Sequence, residues 1–494
     1  MSNNSTFRPA LLLMSGRAAA FAITFLIPIT LSRILSQTEF GTYRQIFLVV
    51  YTLYGIGQIG MAECLFYFLP SFPKDAGRFV TNSMIMLGVS GLVCFLGLVA
   101  VTEYVSDSLS PDLGKYIWMA GAYLMLMLLG CALEIVMIAR KRYRWATYSY
   151  AASDTLRGVM FLLPALFTRR LEWLLLGGLF FCAFRVLTMI VYLRSEFSNN
   201  LRFDLQLLKQ QFVYTAPFAL SVLVEVTQAN YHQLAVSWYF NAATFAIYSV
   251  GCLQIPLVDF MASPASNVMM VRMGEEMRDG NTSRLLPIWH DTSRKLALVF
   301  FPLVALLVVT GHRLITFLFS ERYAASAPIF MVWSLSIIFS VFQTDGVLRV
   351  FAQTRFLVLM NLTRLAAIAG LMTWSLRHFD LIGAVLVTIA GMLVAKSMAL
   401  VRIRSLMKTS VRALMPWWSF GGIAIVSMLA AIPTAIVSSK LLLDSIYVLP
   451  IAGVTYAAAY VTLLLGLGLL TESEKRGIAD IIGRYTVVLA RKPE

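Results

Sequence analysis

Charge is scarce in this chain of 494 residues: Asp, Glu, Lys and Arg make up 13%, while 59% of positions are hydrophobic. Soluble domains carry about 25% charged residues, so a string of soluble catalytic domains is excluded. Cysteine is sparse as well. Cys64, Cys94, Cys131, Cys182 and Cys252 all fall inside apolar runs, where they read as small hydrophobes and not as a disulfide or metal framework. Enzyme signatures are missing too: there is no Gly-x-Ser-x-Gly, no His-Glu-x-x-His and no Gly-x-x-x-x-Gly-Lys-Ser/Thr. The start, Met1 to Arg8, is short and polar, and no small-residue cleavage site follows. The first apolar run therefore reads as a retained span and not a signal peptide.

What is present is apolar sequence long enough to cross about 30 Å of hydrocarbon many times. Fourteen such stretches run from 9–31 to 445–470; among them span seven is 211–238, span eight 244–270, span ten 325–348, span eleven 356–376 and span twelve 381–401. The net charge of +15 fits this reading without nucleic acid as a partner, because most of the 40 Lys and Arg residues gather on one side of the spans. Arg140, Lys141, Arg142 and Arg144 stand in one such loop, and Arg402, Arg404, Lys408 and Arg412 in another. Cytoplasmic loops carry the positive excess, so both termini are expected in the cytoplasm.

A faint duplication divides the chain. Phe40-Gly41-Thr42-Tyr43 at the opening of span two is echoed by Phe245-Ala246-Ile247-Tyr248 at span eight, and Asp154-x-x-Arg157 in span five by Asn361-x-x-Arg364 in span eleven. Two echoes at nearly the same offset, six spans apart, point to lobes related by an axis along the membrane normal. The expected architecture is an all-α integral membrane protein of about fourteen transmembrane helices. Its parts are six-helix lobes at 1–195 and 196–405, an appended helix pair at 406–470 and a cytoplasmic tail at 471–494.

Three segments resemble the polysaccharide-biosynthesis branch of the multidrug/oligosaccharidyl-lipid/polysaccharide (MOP) transporters, which includes the Wzx-type flippases. They are Leu31-Ser32-Arg33-Ile34-Leu35-Ser36-Gln37-Thr38-Glu39-Phe40-Gly41-Thr42-Tyr43, then Leu318-Phe319-Ser320-Glu321-Arg322-Tyr323-Ala324 with Ala327-Pro328, and His378-Phe379-Asp380-Leu381-Ile382-Gly383-Ala384. The resemblance runs in order along essentially the whole chain. It departs from the family at Asn230-Tyr231-His232-Gln233, where many relatives have an acidic-basic pair. It implies a transporter that flips a polyprenyl-pyrophosphate-linked oligosaccharide to the outer leaflet of a bacterial inner membrane, for O-antigen or exopolysaccharide synthesis. Lipid-linked oligosaccharide and membrane lipids are then the expected partners, with a polysaccharide polymerase or other biosynthesis proteins as further candidates.

The rivals are a cation-coupled MATE-type exporter of small molecules, a lipid II flippase and, from another class, a polytopic glycosyltransferase. MATE-type exporters usually depend on an acid in span one, and Pro9 to Leu31 holds none. Membrane glycosyltransferases tend to place an acidic pair after their first span, where residues 32–44 offer only Glu39.

Charges at membrane depth cost at least about 2.5 kcal/mol each, so they face a cavity or one another. Arg17, Arg157, Arg185, Arg364 and Lys396 stand in the spans with Glu63, Glu134, Asp154, Glu225, Asp259 and Asp345. Asp154 and Arg157 are three apart and Asp345 and Arg349 four apart, which is neighbour spacing on a helix and suits local ion pairs. No acid stands in the span of Arg17 or within four positions of Arg364. A guanidinium at that depth suits a pyrophosphate, which it grips bidentately without a proton to lose. Arg17, Arg157 and Arg364 are accordingly candidate substrate contacts, whereas snorkelling to the interface is the plainer reading of Arg185 and Lys396. Span seven ends in Glu225, Thr227, Gln228, Asn230, His232 and Gln233; Gln228 and Asn230 could meet sugar hydroxyls. Glu225 and Asp345 are candidates for coupling transport to Na+ or protons; no other cofactor is expected. Pro28, Pro217 and Pro256 are candidate bending points, and Arg272 to Lys295 reads as an amphipathic surface helix joining the lobes.

Overall fold

The computed structural model describes residues 25–102, 111–441, 443–472 and 474. Every regular element among them is helical. The helices are α1 (Phe25–Ile34), α2 (Gln37–Gly57), α3 (Leu65–Ser71), α4 (Ala76–Ala100), α5 (Pro111–Gly130), α6 (Leu133–Ala139), α7 (Tyr143–Thr168), α8 (Leu171–Phe197) and α9 (Leu205–Tyr239). They continue as α10 (Ala242–Gly251), α11 (Pro256–Arg278), α12 (Leu285–Phe319), α13 (Ser326–Ser334), α14 (Thr344–Val350), α15 (Thr354–Met407), α16 (Val411–Leu414), α17 (Trp417–Lys440) and α18 (Ser445–Gly466). Among the described residues nine helical stretches are long and apolar enough to cross a bilayer, or ten with α10 and α11 taken as one bent span. The expectation of fourteen also counts α1, α2, the more polar α7 and both halves of α15, which turns at Asp380 (φ 47°, ψ −138°).

Several spans that read as continuous in sequence are broken. α2 ends at Gly57 in a glycine-rich stretch, and Ile59 and Gly60 take positive φ before α3. Span four breaks at Cys131–Ala132 between α5 and α6. Span ten passes through a 3-10 stretch, Leu335–Val341, and then Gln343 in the left-handed region. Span eight bends by 51° where Pro256, which has no N–H to continue the ladder, opens α11. Such breaks persist at membrane depth only where other groups take up the freed backbone. The proposed surface helix from Arg272 to Lys295 is not one helix. Residues up to Arg278 prolong α11, Gly280 (φ 79°) turns the chain, and α12 begins at Leu285.

The chain forms two compact units. One comprises residues up to Val250 with Leu318–Ser326 and Asn361–Thr388. In it the three family-like segments have structural work. Ser36 and Glu39 form a capping box that starts α2, with the Glu39 amide donating to Ser36 Oγ (3.2 Å) and the Ser36 amide to Glu39 Oε2 (3.0 Å). Arg33 Nε donates to the Leu318 carbonyl (3.2 Å), Phe40 meets Tyr323 edge-on at 5.7 Å, and Ser326 Oγ donates to the Ile247 carbonyl (2.7 Å). At the third segment Ser375 Oγ donates to the Gly383 carbonyl (3.0 Å), and a Cβ on Gly383 would come within 2.4 Å of the Ser375 carbonyl oxygen. Only glycine lets the two helical halves of α15 close so tightly there.

The other unit comprises Gly251–Phe317, Ala327–Met360 and the chain from Ile389 on. Here the appended pair α17 and α18 forms a core of Val426, Ala430, Tyr456, Tyr460 and Leu464, against which Leu298 and Leu306 of α12 pack. Tyr460 donates to the Leu298 carbonyl (3.0 Å). Below that core Arg294 Nε donates to Glu474 Oε1 (2.8 Å), and the same guanidinium reaches Ser419 Oγ and the Leu469 carbonyl. Burial alone would raise the Glu474 carboxyl, but hydrogen bonds from Arg294 and from the Thr471 amide outweigh it and hold the group below the usual carboxylate range. A depressed folded pKa contributes stability above the unfolded value of about 4.3, lost as pH falls through the folded value. The thermal midpoint in detergent is therefore expected to fall on acidification below that range in the native protein, and to fall less in Glu474→Gln. Parallel curves for the two proteins would remove this contact from the acid response.

Candidate functional site

The first polar centre lies within the first unit, among α2, α5, α7 and α8. A cavity of about 170 Å³ is lined by Tyr54, Tyr123, Tyr150, Asp154, Arg157 and Arg185, with apolar and thiol groups between them. Arg157 Nη2 stands 2.7 Å from Asp154 Oδ1, so the local pair expected from their three-residue spacing forms, and it faces this cavity. Arg185 does not snorkel. Its Nη2 meets Glu134 Oε2 at 2.6 Å, and its Nε donates to the Gly130 carbonyl (3.2 Å), a group released by the break between α5 and α6. Ser149 Oγ donates to the other oxygen of Glu134 (2.9 Å). One buried carboxylate thus ties α6 to α7 and α8.

A second centre in the same unit joins α9 to the start of the 361–388 segment. Which end of a glutamine amide is oxygen is assigned from its hydrogen-bond network. With its oxygen towards Arg364, Gln228 accepts from Arg364 Nη1 (3.0 Å) and Nε (3.2 Å), and its nitrogen donates to Asn361 Oδ1 (3.3 Å). Gln228 is 4% exposed. One turn further along α9, the buried His232 shares a 2.7 Å hydrogen bond between Nδ1 and Tyr248 Oη. Asn230, the other amide candidate, donates back to the Val226 carbonyl of its own helix (3.2 Å), and Glu225 lies on an exposed face of α9. Arg17 lies outside the described residues.

The third centre belongs to the second unit. Asp345, in the first turn of α14, makes its ion pair with Lys396 (2.9 Å) rather than with Arg349 one turn along, and Lys396 Nζ also donates to Thr344 Oγ1 (3.0 Å). Neither this pair nor Glu134–Arg185 was visible as a motif, because the partners stand 51 positions apart in both. The available signal was coarser: in a membrane, a charge unmatched within its own span seeks a partner on a neighbouring one. Among the described residues no three His, Cys, Asp or Glu side chains gather where they could hold a metal ion.

Helices of bilayer length, with several spans broken and charged groups paired between them, define a polytopic membrane protein. The chain belongs to the polysaccharide biosynthesis protein family, whose model matches residues 30–328. No curated relative matches it significantly by sequence. Among solved structures it is similar to the lipid II flippase MurJ in an inward closed conformation, with a TM-score of 0.72 over 91% of this chain and 98% of that one at 12% identity. It is also similar to a multidrug resistance MATE family transporter of the MOP superfamily in an inward-facing conformation (TM-score 0.61, 81% and 100% covered, 13% identity). A MOP superfamily transporter from Pyrococcus furiosus gives 0.56 over 82% and 96% at 12% identity. At such identities the likeness establishes the fold. The fold is one that these solved flippase and MATE structures share.

Proposed function

We propose that this protein flips a polyprenyl-pyrophosphate-linked oligosaccharide from the cytoplasmic to the outer leaflet of a bacterial inner membrane by alternating access, in the synthesis of a surface polysaccharide. The family membership supports a polysaccharide intermediate as cargo. The observation that carries the reading is the Arg364 guanidinium, on a residue of span eleven, held by the Gln228 amide oxygen while Asn361 takes the other end of that amide. An arginine stays charged there and matches a diphosphate in geometry and in sign. The excess of Lys and Arg on one side supports cytoplasmic termini. The internal echoes support lobes at 1–195 and 196–405. A coupling role for Asp345 requires Na+ or a proton to displace the Lys396 ammonium already beside it. Glu225, exposed on α9, is the other candidate for that coupling.

The test is transport of a fluorescent or radiolabelled lipid-linked oligosaccharide in everted vesicles, where cytoplasmic termini are open to added protease. Alanine at Arg17, Arg157 or Arg364 is expected to cut transport by about ten-fold or more with insertion intact, since each loses one charge-assisted contact of about 1.5–3 kcal/mol. Lysine at the same positions should keep part of the activity, having the charge without the fork. Full activity in all three alanine variants would dismiss the diphosphate site.

A further inference from the structure

We infer that Gln228 is a positioning residue that orients Arg364 for the anionic part of the cargo, and not a contact for sugar hydroxyls. The inference rests on the diphosphate-binding role proposed for Arg364. Both ends of the Gln228 amide are engaged within the protein: its oxygen takes two guanidinium nitrogens of Arg364, at 3.0 and 3.2 Å, and its nitrogen reaches Asn361 at 3.3 Å. The side chain is buried. Its oxygen and one of its two N–H donors are thus spent inside the protein, which is the opposite of what a saccharide contact needs.

Asn361 stands one turn before Arg364 on the same helix, so the three residues close a ring that bridges α9 to the first half of α15. Two bonds from one acceptor fix the guanidinium plane, whereas one would leave the group free to swivel. An arginine held in this way has less rotamer freedom to lose when an anion binds.

The chemistry of the acceptor matters as much as its place. A glutamine amide orients the cation without contributing negative charge. The echo in the first half of the chain differs at the matching step, where Asp154 meets Arg157 at 2.7 Å with a carboxylate. Of the two related arginine positions, one is thus met from its own helix by an acid. The other is met by an amide from α9, with the asparagine echo of that acid bonded to the same amide.

The experiment measures binding of a polyprenyl pyrophosphate without sugar, and of the same lipid carrying its oligosaccharide, to the purified full chain in detergent. Gln228→Glu puts a carboxylate where the amide oxygen was, and it should weaken binding of both lipids by about ten-fold or more while the thermal midpoint is kept or raised. Gln228→Leu removes the acceptor without adding charge and should weaken both lipids by a smaller, equal factor; it carries the test if the glutamate variant does not accumulate. A purely structural glutamine predicts native binding by Gln228→Glu, which gains an ion pair in the same geometry, and that result would overturn the inference. A sugar contact predicts loss for the glycosylated lipid alone, which would overturn it equally. Arg364→Ala separates the two levels of the argument. Loss in Arg364→Ala with native binding in both Gln228 variants rejects only the positioning role, whereas native binding in Arg364→Ala rejects the diphosphate site and with it anything to position.

Discussion

Glu134→Ala is expected to destabilise the protein far more than the removal of any exposed carboxylate. The residue is 1% exposed, and its two oxygens take Arg185 Nη2 at 2.6 Å and Ser149 Oγ at 2.9 Å. Deleting the carboxylate leaves the guanidinium in place with only the Gly130 carbonyl among its described hydrogen-bond partners. Removing one member of a buried pair costs about 3–5 kcal/mol, because the surviving charge is stranded. A folded domain has only about 5–15 kcal/mol in hand, so Glu134→Ala should accumulate poorly and lose its cooperative thermal transition. The paired variant Glu134→Leu with Arg185→Met leaves no stranded charge and should recover most of the loss, giving a coupling energy of about 2 kcal/mol or more in a double-mutant cycle. A single alanine variant as stable as the native protein would mean that water or lipid headgroups solvate Arg185, and that the pair has no architectural role.

This pair also marks the boundary of what could be read without coordinates. The membrane class follows from scarcity of charge and from apolar runs, because a bilayer demands about twenty apolar residues wherever a helix crosses it. The family follows from short segments whose physical sense appears only in three dimensions. Ser36 and Glu39 cap α2, Asp380 and Gly383 turn α15, and Tyr323 sits against Phe40. Local spacing predicted Asp154–Arg157 correctly, since three residues on a helix are neighbours whatever the fold. The same rule pointed Asp345 to Arg349, where the fold instead brings Lys396 to it. Arg185 and Lys396 read as snorkelling residues for the same reason: a partner on another span leaves no periodic trace. The helix breaks were only partly legible, since Pro256 announces one and the turn at Cys131–Ala132 carries neither proline nor a positive φ.

Gly41 is the residue at which a single methyl group should matter most. A Cβ there would stand 1.8 Å from the Ala242 carbonyl oxygen and 2.4 Å from its carbon. Both are backbone atoms, so no rotamer change relieves the contact, and α2 and α10 would have to part. They have little room to do so, because Phe40, Phe245, Ala246 and Tyr248 around the crossing are fully buried. Overpacking of a core costs about 1–3 kcal/mol even where side chains can adjust. Gly41→Ala should therefore sit at or above the top of that range, and Gly41→Val should fail to accumulate. Gly97 and Gly370 supply the contrast, since each is helical and a Cβ there meets nothing within 4 Å. Alanine at either position should leave stability unchanged or raise it by up to about 1 kcal/mol through helix propensity. The same substitution thus carries opposite signs at three glycines of one protein, and thermal midpoints of the three variants decide the matter. Should Gly41→Ala match Gly97→Ala, the close crossing of α2 and α10 is not what Phe40-Gly41-Thr42-Tyr43 is for, and the motif must be explained by transport instead.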